Sequence, residues 1–132
     1  MAHVVTFRSA KFDIARETPN PINPIAGESV LLWLREQLRN SQYEATPPDA
    51  EDWGWYVDVS GAGSTYLVGA SADADEGSAI VDWTIQIEKQ RSFIDKLTGA
   101  NKMAAEDPLS VLVAKIFRAD PDIRDVEVDK GA

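Results

Sequence analysis

The sequence predicts an α+β domain of two layers, with a largely antiparallel β-sheet carrying two main helices on one face. Three observations lead there. Residues 81–89 alternate strictly, with Val81, Trp83, Ile85 and Ile87 against Asp82, Thr84, Gln86 and Glu88, as in a strand with one wet face. Two segments keep helical apolar spacing: Val30, Leu31, Leu34 and Leu38, then Leu109, Leu112, Val113, Ile116 and Phe117. The strand candidates between the helices follow one another through short glycine- or aspartate-rich links, which favours a meander.

In chain order, His3 to Ser9 contains Val4, Val5 and Phe7 and reads as a first strand. Phe12 and Ile14 are expected to extend it or to form a second one. Thr18 to Pro24 places prolines at 19, 21 and 24; proline fixes φ and removes a backbone donor, so an extended loop follows. A helix is expected over 27–40, with Glu28 in its first turn, where the dipole favours an acid. Trp33 borders its apolar stripe. Thr46 to Asp52 is expected as a polar loop. A strand over 53–59 should put Trp53, Trp55, Val57 and Val59 on one face. Gly61-Ala62-Gly63 then turns into a strand over 65–71, and Asp73 to Gly77 turns into the strand over 80–89. Ser92 to Leu97 reads as a short helix stopped near Gly99. Asp107-Pro108 opens the next helix with a side-chain cap and proline at the first helical position. Ile123, Val126 and Val128 suggest a last strand in the same sheet.

The 132 residues, 44% of them hydrophobic, fit one domain over 1–132 with a core of its own. There is no cysteine, which removes disulfides, thiolate metal sites and cysteine nucleophiles. The start lacks the apolar run of a signal peptide and no stretch is long enough to span a membrane, so a cytoplasmic protein is expected. Thirteen basic against 22 acidic residues give a net charge of −9. That charge repels nucleic-acid backbones and anionic membranes and attracts a basic protein.

Catalytic signatures are scarce. His3 is the lone histidine and is expected to fray with the N-terminus, and no Gly-x-Ser-x-Gly elbow occurs. No catalytic residue is assigned. Asp49, Glu51, Asp52, Asp58, Asp73, Asp75, Glu76 and Asp82 fall in turns or at outward strand positions and read as solvated acids. Asp73-x-Asp75-x-Gly77 begins like a calcium loop, but Gly77 and Thr84 stand where further ligands are needed. Gly61-Ala62-Gly63-Ser64 joins two strands, whereas a phosphate loop opens a helix. No metal and no cofactor are expected.

The distinctive segment is Asp52-Trp53-Gly54-Trp55-Tyr56, preceded by Glu51, in a chain with four tryptophans. Glycine inside a strand marks a bulge or the close approach of another group. Trp33 and Trp83 are expected in the core, with the indole N–H bonded to a backbone group or carboxylate. Asp52, Trp53, Gly54, Trp55 and Tyr56 are the candidate binding residues, bordering a groove that takes a ligand or a partner side chain. The segment, with Trp83, the amphipathic helix and the last strand, resembles small uncharacterised bacterial proteins that carry a D-W-G-W strand. That resemblance spans about 49–128 and implies no activity.

The expectation for function is a non-enzymatic binding module for a protein or small ligand. An immunity-type acidic inhibitor of a basic toxin is the second reading, and an enzyme using carboxylates the third. A homodimer through an edge strand is compatible with the sequence.

Overall fold

A computed structural model describes residues 2–73 and 79–131. The strands are β1 (His3–Ser9), β2 (Glu44–Ala45), β3 (Asp49–Glu51), β4 (Gly54–Gly61), β5 (Ser64–Asp73), β6 (Val81–Lys89) and β7 (Ile123–Asp129). The helices are α1 (Glu28–Leu38), α2 (Phe93–Thr98) and α3 (Pro108–Ala119). The sheet runs β2-β4-β5-β6-β1-β7, with β3 also on β4, and every pairing is antiparallel. β4 to β6 form the expected meander, and β1 inserts between β6 and the chain's last strand.

The alternation sorts the two faces. Val5 and Phe7 of β1, Val57 and Val59 of β4, Tyr66, Val68 and Ala70 of β5, and Trp83, Ile85 and Ile87 of β6 are all buried. Against them lie Val30, Leu31, Leu34 and Leu38 of α1 and Leu109, Val113 and Phe117 of α3, in one continuous core. Stacking of Trp33 on Phe117, with centroids 5.7 Å apart, places the two helices side by side on the same face. The opposite face carries Thr6, Arg8, Asp58, Asp82, Gln86 and Glu88 and has no helix over it. At roughly 25 cal/mol per Å² of apolar surface, burial of this one layer is the dominant stabilising term.

Two capping arrangements hold the two longer helices. Asp107 accepts from the N–H groups of Leu109 and Ser110, as its position before Pro108 predicts. α1 begins at Gly27, which has no side chain to cap with. Glu17 reaches in from ten residues upstream instead, and its carboxylate accepts from the N–H groups of Gly27, Glu28 and Ser29 at 2.9, 3.1 and 2.9 Å. It also accepts from the Ser29 hydroxyl at 2.5 Å.

Several expectations are corrected. Phe12 and Ile14 do not extend the sheet: residues 14–16 form a 3₁₀ turn capped by Asp13. Phe12 is buried against the rings of Phe7, Trp33 and Trp83. The expected loop over 46–52 contains β3, a polar edge strand without apolar alternation to announce it. Trp83 is buried as expected, but its indole N–H has no acceptor among the described residues, because aromatic rings surround it. The turn expected at Asp73 to Gly77 lies largely outside the described residues. No described helix is long and apolar enough to cross a membrane.

Candidate functional site

The segment 52–56 is positioned by a β-turn rather than by a continuous strand. β3 pairs with β4 in the register Asp49↔Tyr56, Ala50↔Trp55 and Glu51↔Gly54, so Asp52 and Trp53 are the turn residues between them. Gly54 has φ +147°, a conformation closed to ordinary L side chains. There the alternation is broken. Trp55 points into the core, almost fully buried, while Trp53 lies on the other face of the sheet. The expectation that Trp53 and Trp55 share one face is therefore wrong, and the φ of Gly54 is the reason.

Gly69 of β5 shows where Trp53 goes. Gly69 pairs with Tyr56 on one side and Gln86 on the other, at a position facing away from the helices. A Cβ placed on Gly69 would collide with the far edge of the Trp53 indole. The missing side chain thus makes a seat for the ring, and Trp53 remains half-buried, with Tyr56 and Leu67 half-buried beside it. Gly54 leaves no free space of its own, because the Ala70 carbonyl occupies the position a Cβ would need. The close approach expected of a strand glycine is thus a backbone contact within the sheet.

The proline loop holds this turn. Asn20 Nδ2 donates to the carbonyls of Glu51 and Gly54, each at 3.0 Å. Its Oδ1 accepts from the N–H groups of Ile22 and Asn23 at 2.9 and 3.1 Å. Asn23 Nδ2 donates to the Asp52 carbonyl at 2.8 Å. Between loop and turn lies a shallow cleft of about 190 Å³ lined by Pro19, Pro24, Ile25 and Trp55. The three prolines stiffen the loop, and the two asparagines fasten it to the turn that bears Trp53. Nothing in the local sequence of Asn20 announces the cross-link, because the two carbonyls its Nδ2 reaches in the turn lie more than thirty residues away.

Electrostatically the aromatic patch is acidic. Asp49 foremost, then partial desolvation, Asp58 and Glu51 push the Tyr56 phenol above its ordinary value. Asp52 is exposed at the turn itself. The patch therefore combines one indole and one phenol surface, Trp53 and Tyr56, with four carboxylates. A guanidinium or ammonium group suits both, through charge and through the ring faces.

The expectation that His3 frays with the terminus is also corrected. His3 belongs to β1, is 2% exposed, and its Nδ1 lies 2.6 Å from Ser110 Oγ. Its inward position continues the alternation of Val5 and Phe7, which was the available signal. Burial pushes the imidazole below its ordinary value, and the Asp107 charge opposes that shift. Asp107 is turned elsewhere. One oxygen accepts from the Tyr66 hydroxyl at 2.9 Å and the other caps α3. The histidine, serine and aspartate therefore form a buried polar cluster in which the acid does not orient the imidazole as a triad requires. Among the described residues, the carboxylates whose pKa values are displaced move downwards: Asp95 through Asn101 and Ser92, Glu106 through Lys130, Asp120 through Lys11. A carboxylic acid catalyst needs the opposite shift. Among the described residues, no three histidine or acidic side chains converge as a metal site.

No protein family, curated protein or solved structure matches this chain. The class the fold and patch define is thus an α+β domain with one helix-covered and one open sheet face, and the patch itself is the guide to function.

Proposed function

We propose that this protein is a non-enzymatic binding module whose Asp52–Tyr56 turn and strand take a cationic group of a protein partner. One observation carries the reading: the Trp53 indole is seated on Gly69 on the open face of the sheet, half exposed, next to Asp52 in the turn and beside Tyr56, on which Asp49, Asp58 and Glu51 act. Trp53 and Tyr56 supply ring faces, the carboxylates supply charge, and Asn20 holds the turn in place. Gly54 serves the turn and Trp55 anchors it in the core; neither meets the partner. The chain's net charge of −9 steers such a partner towards the surface.

The test uses an arginine hexapeptide as probe, with a glutamate hexapeptide as control. Backbone amide shifts are expected to cluster at 49–58 and 67–71, and Trp53→Ala should weaken binding at least severalfold. Shifts spread evenly over the acidic surface, or unchanged affinity in Trp53→Ala, would refute the reading.

The immunity-type reading is a narrower form of the same proposal. It is favoured by the carboxylates crowded round Tyr56. It expects an association rate with a basic enzyme that falls steeply with added salt.

A further inference from the structure

Residues 89–102 reverse the charge of the molecule. They hold four cations, Lys89, Arg91, Lys96 and Lys102, against the single acid Asp95, a net +3; the remainder of the chain carries −12. The same segment carries the most exposed large apolar side chains among the described residues. Phe93, Ile94 and Leu97 of α2 are 75%, 69% and 70% exposed, and no residue of α2 is buried. Three bulky apolar groups held in water on one helical turn contribute nothing to this fold's core.

The knob is nevertheless held in one conformation. The Ser92 hydroxyl accepts from the Asp95 N–H at 3.0 Å, and the Asp95 carboxylate accepts from the Ser92 N–H at 3.2 Å. Gly99 ends the helix at φ +76°. Arg91 Nη2 donates to the carbonyls of Asp95 and Ala100, both at 2.9 Å, and closes the segment from behind. Ordering such a surface in advance lowers the entropy lost on docking.

The sheet edges offer a second copy little. β7 presents Arg124, Asp125, Glu127 and Asp129, and its register with β1 breaks around Asp125, which sits at φ +56°. The opposite edge is divided between the two residues of β2 and the three of β3, with Pro47-Pro48 between them. Charges, breaks and prolines of this kind block strand-to-strand pairing. Contact between copies must then use side-chain surfaces.

We propose that α2 of one copy docks on the Trp53–Tyr56 face of a second copy. This rests on the reading of that face as a site for a cationic partner, and names the partner. Phe93, Ile94 and Leu97 meet the half-exposed Trp53, Tyr56 and Leu67. Lys96 and Lys102 meet Asp49, Asp52 and Asp58. The contact is head-to-tail, so each copy retains one free knob and one free face, and assembly continues past the dimer unless a ring closes. Three apolar anchors make a small, transient interface.

Sedimentation equilibrium from about 10 μM to about 1 mM tests this, a range that brackets weak association. The wild-type average mass should rise with concentration above 14.5 kDa. Leu97→Asp and Trp53→Ala should each stay monomeric. Mixed in equal amounts they should form a one-to-one dimer, because one keeps its face and the other its knob. Leu97 is exposed, so its substitution leaves the fold intact. A wild type that stays monomeric overturns the proposal. So does a Leu97→Asp variant that assembles normally, or a mixture that fails to pair. Flotation of monomeric wild type, but not Leu97→Asp, with phosphatidylglycerol vesicles would assign the knob to a lipid surface and overturn it too. If the wild type is monomeric while the arginine hexapeptide still needs Trp53, the docking proposal alone fails. If the peptide does not need Trp53, the reading of the face has failed.

Discussion

Asn20 is the residue whose substitution tests most directly how the site is held. Its amide makes two of the three side-chain bonds described between the proline loop and the turn that bears Trp53, the third being Asn23 to the Asp52 carbonyl. Nδ2 donates to the Glu51 and Gly54 carbonyls, while Oδ1 closes the turn at Ile22 and Asn23. In Asn20→Ala the two Oδ1 bonds are replaced by water, since those N–H groups are exposed. The two cross-links are half-buried, and each is worth about 0.5–1.5 kcal/mol net, so the loss is about 2 kcal/mol. For a domain of this size that lowers Tm by roughly 6–10 °C. Asn20→Asp should be worse than alanine, because a carboxylate oxygen then faces two carbonyl oxygens. Freeing the turn also adds an ordering penalty of about 1 kcal/mol to binding at Trp53, which is about fivefold in affinity. Thermal unfolding followed by circular dichroism, with arginine-hexapeptide titration, measures both effects. If Asn20→Asp matches wild type in Tm and in affinity, the amide does not hold the turn and the account of the site's rigidity is wrong.

Two further expectations concern the scaffold. Glu17→Ala removes four hydrogen bonds at the start of α1 and should destabilise by about 2–3 kcal/mol, more than an ordinary cap, because charge and dipole are both lost. Glu17→Gln should lie between, and equal Tm values for all three proteins would show that α1 starts without it. On the acid side, His3 has a folded pKa below its unfolded value near 6.5. The unfolded chain therefore takes up the proton first, and stability is lost as pH falls below about 6.5, with a slope of at most about 1.4 kcal/mol per pH unit from this group. Asp107, Glu106 and Lys130 act on the same imidazole, the two acids raising its pKa and the lysine lowering it. Urea unfolding between about pH 5 and 7 should show that slope in wild type and lose it in His3→Asn; a slope retained in the variant would assign it elsewhere.

Much of the fold was legible because one-sided burial writes itself into a sequence. Residues 81–89 could alternate as they do only in a strand with one dry face, and the 109–117 spacing admits one buried helical stripe. The failures share a different cause. Phe12 is apolar yet sits in the bend before the 3₁₀ turn, because its ring packs against Trp33 and Trp83 rather than against a strand neighbour. β3 has the composition of a loop, since an exposed edge strand needs no apolar pattern. Glu17 and Asn20 act on partners ten and more than thirty residues away, and no local pattern encodes that. At the site, the residues were legible but their directions were not. Period-two reasoning holds only while φ stays extended, and Gly54 interrupts it between the two tryptophans.

The Trp53–Gly69 pair bears on whether the open face is built for stability. Elsewhere on that face the chain uses Thr6, Thr84, Gln86 and the Arg8–Asp82 pair, residues that sit well on a wet sheet. At 69 it uses glycine, which costs roughly 0.5–1 kcal/mol in a strand interior. The glycine is then covered by an indole projected from a turn that itself needs a left-handed glycine and two asparagine clamps. A β-branched residue at 69 with a small polar residue at 53 would give a simpler and more stable face. Gly69, Gly54, Asn20 and Asn23 make structural sense together only as parts that present Trp53 in one orientation. This arrangement supports the proposal that the aromatic patch, rather than the buried His3–Ser110 pair, meets a partner.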